Sequence, residues 1–290
     1  MRISKDEVTP KLQKIQKEIY LDFQELCKKH DIPFFVSGGT AIGTIRHKGF
    51  IPWDDDIDVC MLRDDYNKAV YYIRKELSDK YTVYDCSTQR GHVLTFSKLC
   101  KNGTKIQEET YADTNNITGI FIDLFPYDKT TSNSKLRKKQ IRKTWLWARM
   151  MVLSVYKHPR FPAGLKGLKL KFAKIICVVA HYMFKILHLN KEFFYKKYLK
   201  EATKYNKSEE QLYIDFSYIH PEKVMCTYDM IFPLKEMPFE DITVQMLNNA
   251  DKYLTSQYGD YMIIPPIEKR ITHNPGYVDF GDGNIYRKES

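Results

Sequence analysis

The sequence predicts an α/β (α+β) fold, a sheet core flanked by helices and carrying a largely helical, basic insertion. Three observations predict it. Up to residue 133, short runs rich in β-branched and aromatic residues alternate with segments of helical period. From Ser134 the texture changes to long helical stretches rich in Lys, Arg and aromatics, and from residue 211 the mixed character returns. The 290 residues, 43% hydrophobic and 28% charged, suffice for one substantial core with a helical unit attached. The expected organisation is a core over 1–133, a basic helical region over 134–210, and a segment over 211–290 that completes the core.

Thr9-Pro10 reads as a helix start, a capping hydroxyl before proline, and Leu12, Ile15, Ile19, Phe23 and Leu26 follow at helical spacing. Pro33 ends that helix, and PFFV reads as a short buried strand entering a Ser37-Gly38-Gly39-Thr40 turn, with a helical turn over Thr40 to His47. Ile57 to Met61 reads as a strand and Arg63 to Leu77 as a helix. Strands follow near Tyr81 to Asp85, Val93 to Cys100 and Gly119 to Leu124. After the helical region, Tyr213 to Phe216 and Phe232 to Ile242 read as extended, Asn248 to Tyr258 as helix, and Pro265 to Gly283 as ordered loop.

Six dispersed cysteines show neither a CxxC zinc pattern nor a compact disulfide framework, so reduced, buried thiols are expected. The first residues, MRISKDEVTP, lack the apolar stretch of a signal peptide, and no window reaches the roughly 18 apolar residues of a spanning helix. A cytoplasmic protein is the expectation. The formal charge of +10 favours an anionic partner, whether nucleic acid, anionic lipid or a phosphorylated substrate.

The chemistry concentrates in SGGTAIGTIRHKGFIPWDDDIDVCM, Ser37 to Met61. Asp56 and Asp58 flank Ile57 at the mouth of an apolar strand, and alternation along a strand turns both carboxylates to one face. Two carboxylates about 4 Å apart repel by roughly 4 kcal/mol at an effective dielectric of about 20, a cost relieved by a divalent cation or by protonation. Oxygen-only ligands favour Mg or Mn over Zn. Read alone, DDDID also fits a solvated acidic turn or a helix cap.

Upstream, Gly38 and Gly39 allow close backbone approach, and Thr40 opens a helix whose N–H groups suit a phosphate, with Ser37 in the same phosphate-binding set. Arg46 is a second phosphate candidate, with a surface salt bridge as its alternative role. Asp123 lies in the apolar strand GIFIDL, where an ionised group needs a metal or a cation beside it. Lys98, in FSKLC, is within the same phosphate-binding set. His47 and Trp53 are candidates for substrate contact, Asp54 and Asp55 for supporting the metal or capping the loop, and Asp128 reads as an exposed loop residue.

The run GGTAIGTIRHKGFIPWDDDIDV resembles the LicD family, bacterial transferases of phosphocholine and related phospho-alcohols akin to the fukutin-type ribitol-phosphate transferases of animals. IDLFPYD around Asp123, MIFPLKEMPFEDITV from Met230 to Val244, and YLTSQYGDYMIIPP from Tyr253 to Pro266 extend the resemblance over most of the chain outside the middle helices. It implies a nucleotidyltransferase-like mixed-sheet core, with Gly38, Gly39 and Thr40 facing nucleotide phosphates and Asp56, Asp58 and Asp123 as a metal-binding, catalytic triad. It implies a CDP-alcohol donor, typically CDP-choline, and a sugar acceptor in teichoic acid, lipopolysaccharide or capsule, with CDP-linked ribitol, glycerol or ethanolamine as other donors. His273, in RITHNP, resembles a family position that would touch substrate. The zinc sites of animal relatives have no counterpart among the dispersed cysteines.

Between Leu165 and Leu189, short apolar runs alternate with Lys166, Lys169, Lys171, Lys174 and Lys185, which suits a helix lying peripherally on an anionic membrane or one packed on a core with a solvated basic face. Lipid-linked glycan acceptors favour the first. An RNA-binding nucleotidyltransferase is the competing class, disfavoured because no recognisable RNA module accompanies the core; no nucleic-acid partner is expected.

Overall fold

The structure is a computed structural model that describes residues 4–88, 91–108, 117–159, 161, 166–270 and 275–288. Two units emerge, one made of Met1–Tyr84, Phe96–Asp128 and Gln211–Ser290, the other of Asp85–Thr95 and Lys129–Glu210.

In the first unit, α1 (Lys5–Lys29) buries Leu12, Ile15, Ile19, Phe23 and Leu26, the stripe read from the sequence. The helix begins one turn earlier than Thr9-Pro10 because Glu7 accepts from the Ser4 N–H at 2.8 Å and from its hydroxyl at 2.6 Å, leaving Pro10 in the second turn. Next come β1 (Phe35–Val36), α2 (Gly38–Arg46), β2 (Asp58–Leu62), α3 (Arg63–Glu76), β3 (Tyr81–Tyr84), β4 (Ser97–Lys101), β5 (Lys105–Glu108) and β6 (Phe121–Thr130). Gly38 and Gly39 form the first turn of α2, with Ser37 as N-cap, rather than a separate turn before it.

The main sheet runs β1-β2-β6-β4-β3. β2 and β6 are parallel, while β1–β2, β4–β6 and β3–β4 are antiparallel, so the sheet is mixed and the fold α/β, as the sequence predicts. Strand β6 is longer than expected because it continues through Pro126. Asp128 is thereby drawn into the interior, contrary to its reading as an exposed loop residue. It is 1% exposed and holds the Arg63 guanidinium in a two-pronged pair, Nε to Oδ1 at 2.9 Å and the terminal nitrogen to Oδ2 at 2.7 Å.

The second unit is helical: α4 (Ser134–Val155), α5 (Gly167–Ile186) and α6 (Lys191–Ala202). Asn133 caps α4 and Asn190 caps α6 through their side-chain oxygens. Met151, Phe184, Phe194 and Cys86 form a small separate core, and α4 packs on both other helices. Gln140 donates to the Glu201 carbonyl at 3.0 Å, and His181 Nδ1 lies 2.8 Å from the Leu153 carbonyl, tying α6 and α5 to α4.

The tail returns to the first unit with β7 (Leu212–Ile214), β8 (Cys226–Thr227), α7 (Tyr228–Ile231), the β9 (Lys235–Phe239)–β10 (Ile242–Met246) hairpin, α8 (Ala250–Tyr258), β11 (Pro275–Asp279) and β12 (Ile285–Arg287). Strand β7 pairs with β6 and β8 at the main sheet. The segment expected to be loop contains β11, which pairs with β5 and β12 in a separate sheet. The six cysteines are free thiols, five of them buried. Among the described residues, no single helix is long and apolar enough to cross a membrane.

Candidate metal and phosphate site

The register of the main sheet sets Asp58 of β2 beside Asp123 of β6, and Asp123 beside Lys98 of β4. Paired residues share a face, so one row across three strands carries two carboxylates and an ammonium. Asp56 precedes β2, but its neighbour Ile57 already accepts the Asp123 N–H at 2.9 Å, which fastens the segment to β6. With Ile57 buried in the core, Asp56 turns to the side of Asp58; one oxygen each from Asp56, Asp58 and Asp123 lies within 4.8 Å of the others.

The acidic loop is held from behind. Gln13 Nε2 donates to the Asp54 carbonyl at 2.8 Å, and the buried Gln16 donates to the Asp55 carbonyl at 2.6 Å, so α1 positions the loop as well as covering the core. Sequence reasoning missed both glutamines. Their only sequence signal is amide side chains on a helix face that otherwise reads as apolar.

In front of the carboxylates stands the N-terminus of α2. The Ser37 N–H donates to the Asp58 carbonyl at 3.1 Å, and the Asp58 N–H donates to Thr40 Oγ1 at 3.0 Å, locking the helix start to the strand start. Helix geometry gives the N–H groups of Gly38, Gly39 and Thr40 no intrahelical acceptor. Gly38 has φ +55°, and a Cβ there would meet Asp58 Oδ2 at 2.1 Å; one on Gly39 would meet Asp54 Oδ2 at 2.2 Å. Only glycine lets helix and carboxylates approach this closely.

Asp123 is the most deeply placed of the three. Its carboxyl is raised to about 7, first by burial; the Lys98 ammonium opposes this, and the charges of Asp56 and Glu108 add to it. Lys98 Nζ lies 3.1 Å from Asp123 Oδ1, 3.4 Å from Glu108 Oε1 and 3.3 Å from the centre of the Phe121 ring. Burial pulls the Lys98 ammonium down, but Asp123 and Glu108 outweigh it and hold the ammonium above its ordinary range. A partly neutral Asp123 and a charged Lys98 are compatible because Glu108 supplies a second carboxylate. Asp123 Oδ1, although at ion-pair distance, accepts no hydrogen bond. A buried carboxylate oxygen with open capacity, beside two further carboxylates, suits a hard cation, and three oxygens this close need little movement to meet the roughly 2 Å ligand distances of Mg²⁺.

Residues 31–171 match the family model described as LicD/FKTN/FKRP, nucleotidyltransferase domain. The chain is also 29% identical over 269 residues, 87% of its length and 90% of the relative's, to the lipopolysaccharide cholinephosphotransferase LicD of Haemophilus influenzae. The chain belongs to the LicD family. A 48-residue stretch is 38% identical to uncharacterized proteins of Rickettsia prowazekii and Rickettsia typhi, covering 17% of this chain and 18% and 16% of theirs. As a LicD-family member the chain is a transferase.

The remaining predicted site residues of this LicD-family chain fall in different places. Arg46 and His47 lie at the far end of α2, about 13 Å along the helix from Gly38 at about 1.5 Å per residue. Arg46 donates to the carbonyls of Tyr261 at 2.6 Å and Ile263 at 3.2 Å, clamping the segment after α8. His47 meets Trp53 edge-on at 6.2 Å, and the Arg270 guanidinium lies 3.9 Å over the Trp53 ring. Burial, then the Arg46 charge, lowers the His47 imidazole below its ordinary range. Lys98 is at the triad, bound to Asp123, and His273 lies outside the described residues. Tyr258, at the end of α8, is 43% exposed; its phenol is raised, first by burial and then by the charge of Asp58, with Tyr218, Asp54 and Asp56 also contributing.

Proposed function

We propose that the protein transfers phosphocholine from CDP-choline to a sugar hydroxyl of a cell-surface glycan precursor, with Mg²⁺ held by Asp56, Asp58 and Asp123. The observation that carries this reading is the convergence of those carboxylates with the glycine-built N-terminus of α2, in a LicD-family chain that matches a lipopolysaccharide cholinephosphotransferase over most of its length. The acceptor on this reading is a lipid-linked precursor of lipopolysaccharide, teichoic acid or capsule, and the protein works at the cytoplasmic face of the membrane.

Bound to the three carboxylates, the metal supplies positive charge against the donor's diphosphate oxygens. The N–H groups of Gly38, Gly39 and Thr40 and the positive end of α2 face the same oxygens and stabilise the charge that grows as CMP departs. Ser37 stands at the N-cap position of that helix, where its carbonyl accepts the Ala41 N–H at 2.9 Å. Asp123 receives the proton of the attacking hydroxyl as the new bond forms, a task open to a carboxylate placed beside both metal and acceptor. Lys98 holds the Asp123 carboxylate in line with the sheet row and limits how far burial raises its pKa. A new sugar O–P bond forms, the P–O bond to CMP breaks, and the proton ends on Asp123 before passing to solvent.

The test is CMP release from CDP-choline with a sugar acceptor, with Mg²⁺ or with chelator, beside CDP-ethanolamine, CDP-ribitol and CDP-glycerol. Mg-dependent turnover fastest with CDP-choline is expected. Preference for another CDP-alcohol would replace the choline assignment, and turnover untouched by chelator would overturn the metal site.

A further inference from the structure

We propose that α5 is a membrane-docking helix, laying an apolar stripe into the interface of an anionic lipid bilayer with its lysines among the headgroups. In a helix of a small soluble bundle, the apolar face is expected to point inward. Here it does not. Leu168, Phe172, Ile175, Val179, Tyr182 and Ile186 recur at spacings of four and three and are 72, 64, 59, 61, 50 and 77% exposed. At about 100° per residue they fall within an arc of roughly 80°. Ile176 and Met183, also exposed, widen the arc on one side. The side chains that α5 buries, His181 and Phe184, lie on the opposite face, where they meet α4 and the small core. The stripe is therefore what remains after α5 has satisfied its own bundle.

Charge chooses the partner. Exposed Lys169 and Lys171 border the stripe on its two sides, with Lys174 and Lys185 following next to Lys171. No Asp or Glu occurs between Lys129 and Lys191, a stretch whose Lys and Arg exceed the whole chain's formal charge of +10. A second copy of the same face would bring lysine against lysine, and a nucleic acid would leave the apolar stripe without a partner. An anionic bilayer satisfies both, with acyl chains for the stripe and headgroup phosphates for the lysine borders. The helix lies on the membrane rather than across it, since its 20 residues include four lysines and by itself it is not long and apolar enough to cross; it passes that test only together with Lys191–Tyr205, across a bend of 102°. The inference touches the proposed function only in that a lipid-linked acceptor would be met on the same surface.

The experiment is sedimentation of the full chain with vesicles of phosphatidylcholine, with or without phosphatidylglycerol, at low and physiological salt. Pelleting with the anionic vesicles alone, weakened by salt, is expected. The pair Phe172→Ser and Val179→Ser should weaken partitioning at least about ten-fold, and Lys171→Gln and Lys174→Gln about five-fold each. These side chains are exposed, so the variants should keep the parent Tm and the parent rate of transfer to a water-soluble sugar acceptor, which separates this inference from the assignment of the reaction. Equal pelleting with neutral and anionic vesicles, or a Phe172→Ser/Val179→Ser variant that binds like the parent, would overturn it. So would a dimer that dissociates in that variant without any vesicle binding, which would make the face a contact between two copies of the chain.

Discussion

The triad should bind its metal in competition with a proton on Asp123. In the metal-free fold this carboxyl is raised from 3.8 to about 7 by burial and by neighbouring carboxylates, against the pull of Lys98. The sign follows from linkage. An unfolded chain releases this proton near pH 4, whereas the fold keeps it to about pH 7, so Asp123 lowers stability progressively as pH rises through that window. About three pKa units correspond to roughly 4 kcal/mol once the group is ionised in both states. A divalent ion needs the carboxylate and must displace the proton. With a pKa near 7, the ionised fraction falls from about ten-elevenths at about pH 8 to one-eleventh at about pH 6, so apparent metal affinity should fall roughly ten-fold over that range. Calorimetric titration of Mg²⁺ or Mn²⁺ across this range, in two buffers of different ionisation enthalpy, reads both the affinity and the proton released. Lys98→Met removes a charge that lowers the Asp123 pKa, so the onset of tight metal binding should move to higher pH. Affinity that is flat between pH 6 and pH 8, or binding without proton release near pH 6, would refute the assignment of Asp123 as a proton-linked ligand.

Three further predictions rest on other parts of the site and its support. Asp123→Asn should lose transfer and show weakened Mg binding without the pH dependence of the parent, whereas Asp56→Asn should weaken donor binding and keep that pH dependence; calorimetric binding of CDP-choline with Mg²⁺ beside single-turnover CMP release separates the two, and parent-like turnover in Asp123→Asn would remove it as the base. Gly38→Ala places a methyl 2.1 Å from Asp58 Oδ2 at φ +55°, so it should cost about 1–3 kcal/mol in chemical denaturation and abolish transfer; a fully active variant would show that α2 and the strand need not approach so closely. Asp128→Asn replaces the two-pronged carboxylate on the buried Arg63 guanidinium by a neutral amide and should destabilise the first unit by up to about 3–5 kcal/mol at neutral pH, read as a lower denaturation midpoint; an unchanged midpoint would mean the pair adds nothing.

Local physics is legible in the chain without any coordinates. The buried stripe of α1, the helix over Arg63–Glu76 and the strand carrying Asp58 all follow from periods that each segment repeats within itself. The run from Gly38 to Val59 likewise brings the glycine turn and the acidic pair together because they are separated by a single short helix, so their chemistry could be read before their geometry. What sequence periodicity does not encode is which distant segments become neighbours. Lys98 reads as a cation free to meet a phosphate; only the antiparallel register of β4 on β6 puts it against Asp123. Asp128 reads as a loop residue after a proline, and only the continuation of β6 brings it to Arg63, 65 positions away. Gln13 and Gln16 read as polar interruptions of a covering helix until the loop of Asp54 and Asp55 arrives beneath them. The mirror case is α5, whose composition fits equally a helix packed in a core and one lying on a membrane. Its exposed stripe is decided by which face α4 occupies, because packing against a neighbour, and not the period of the sequence, determines which side of a helix is removed from water.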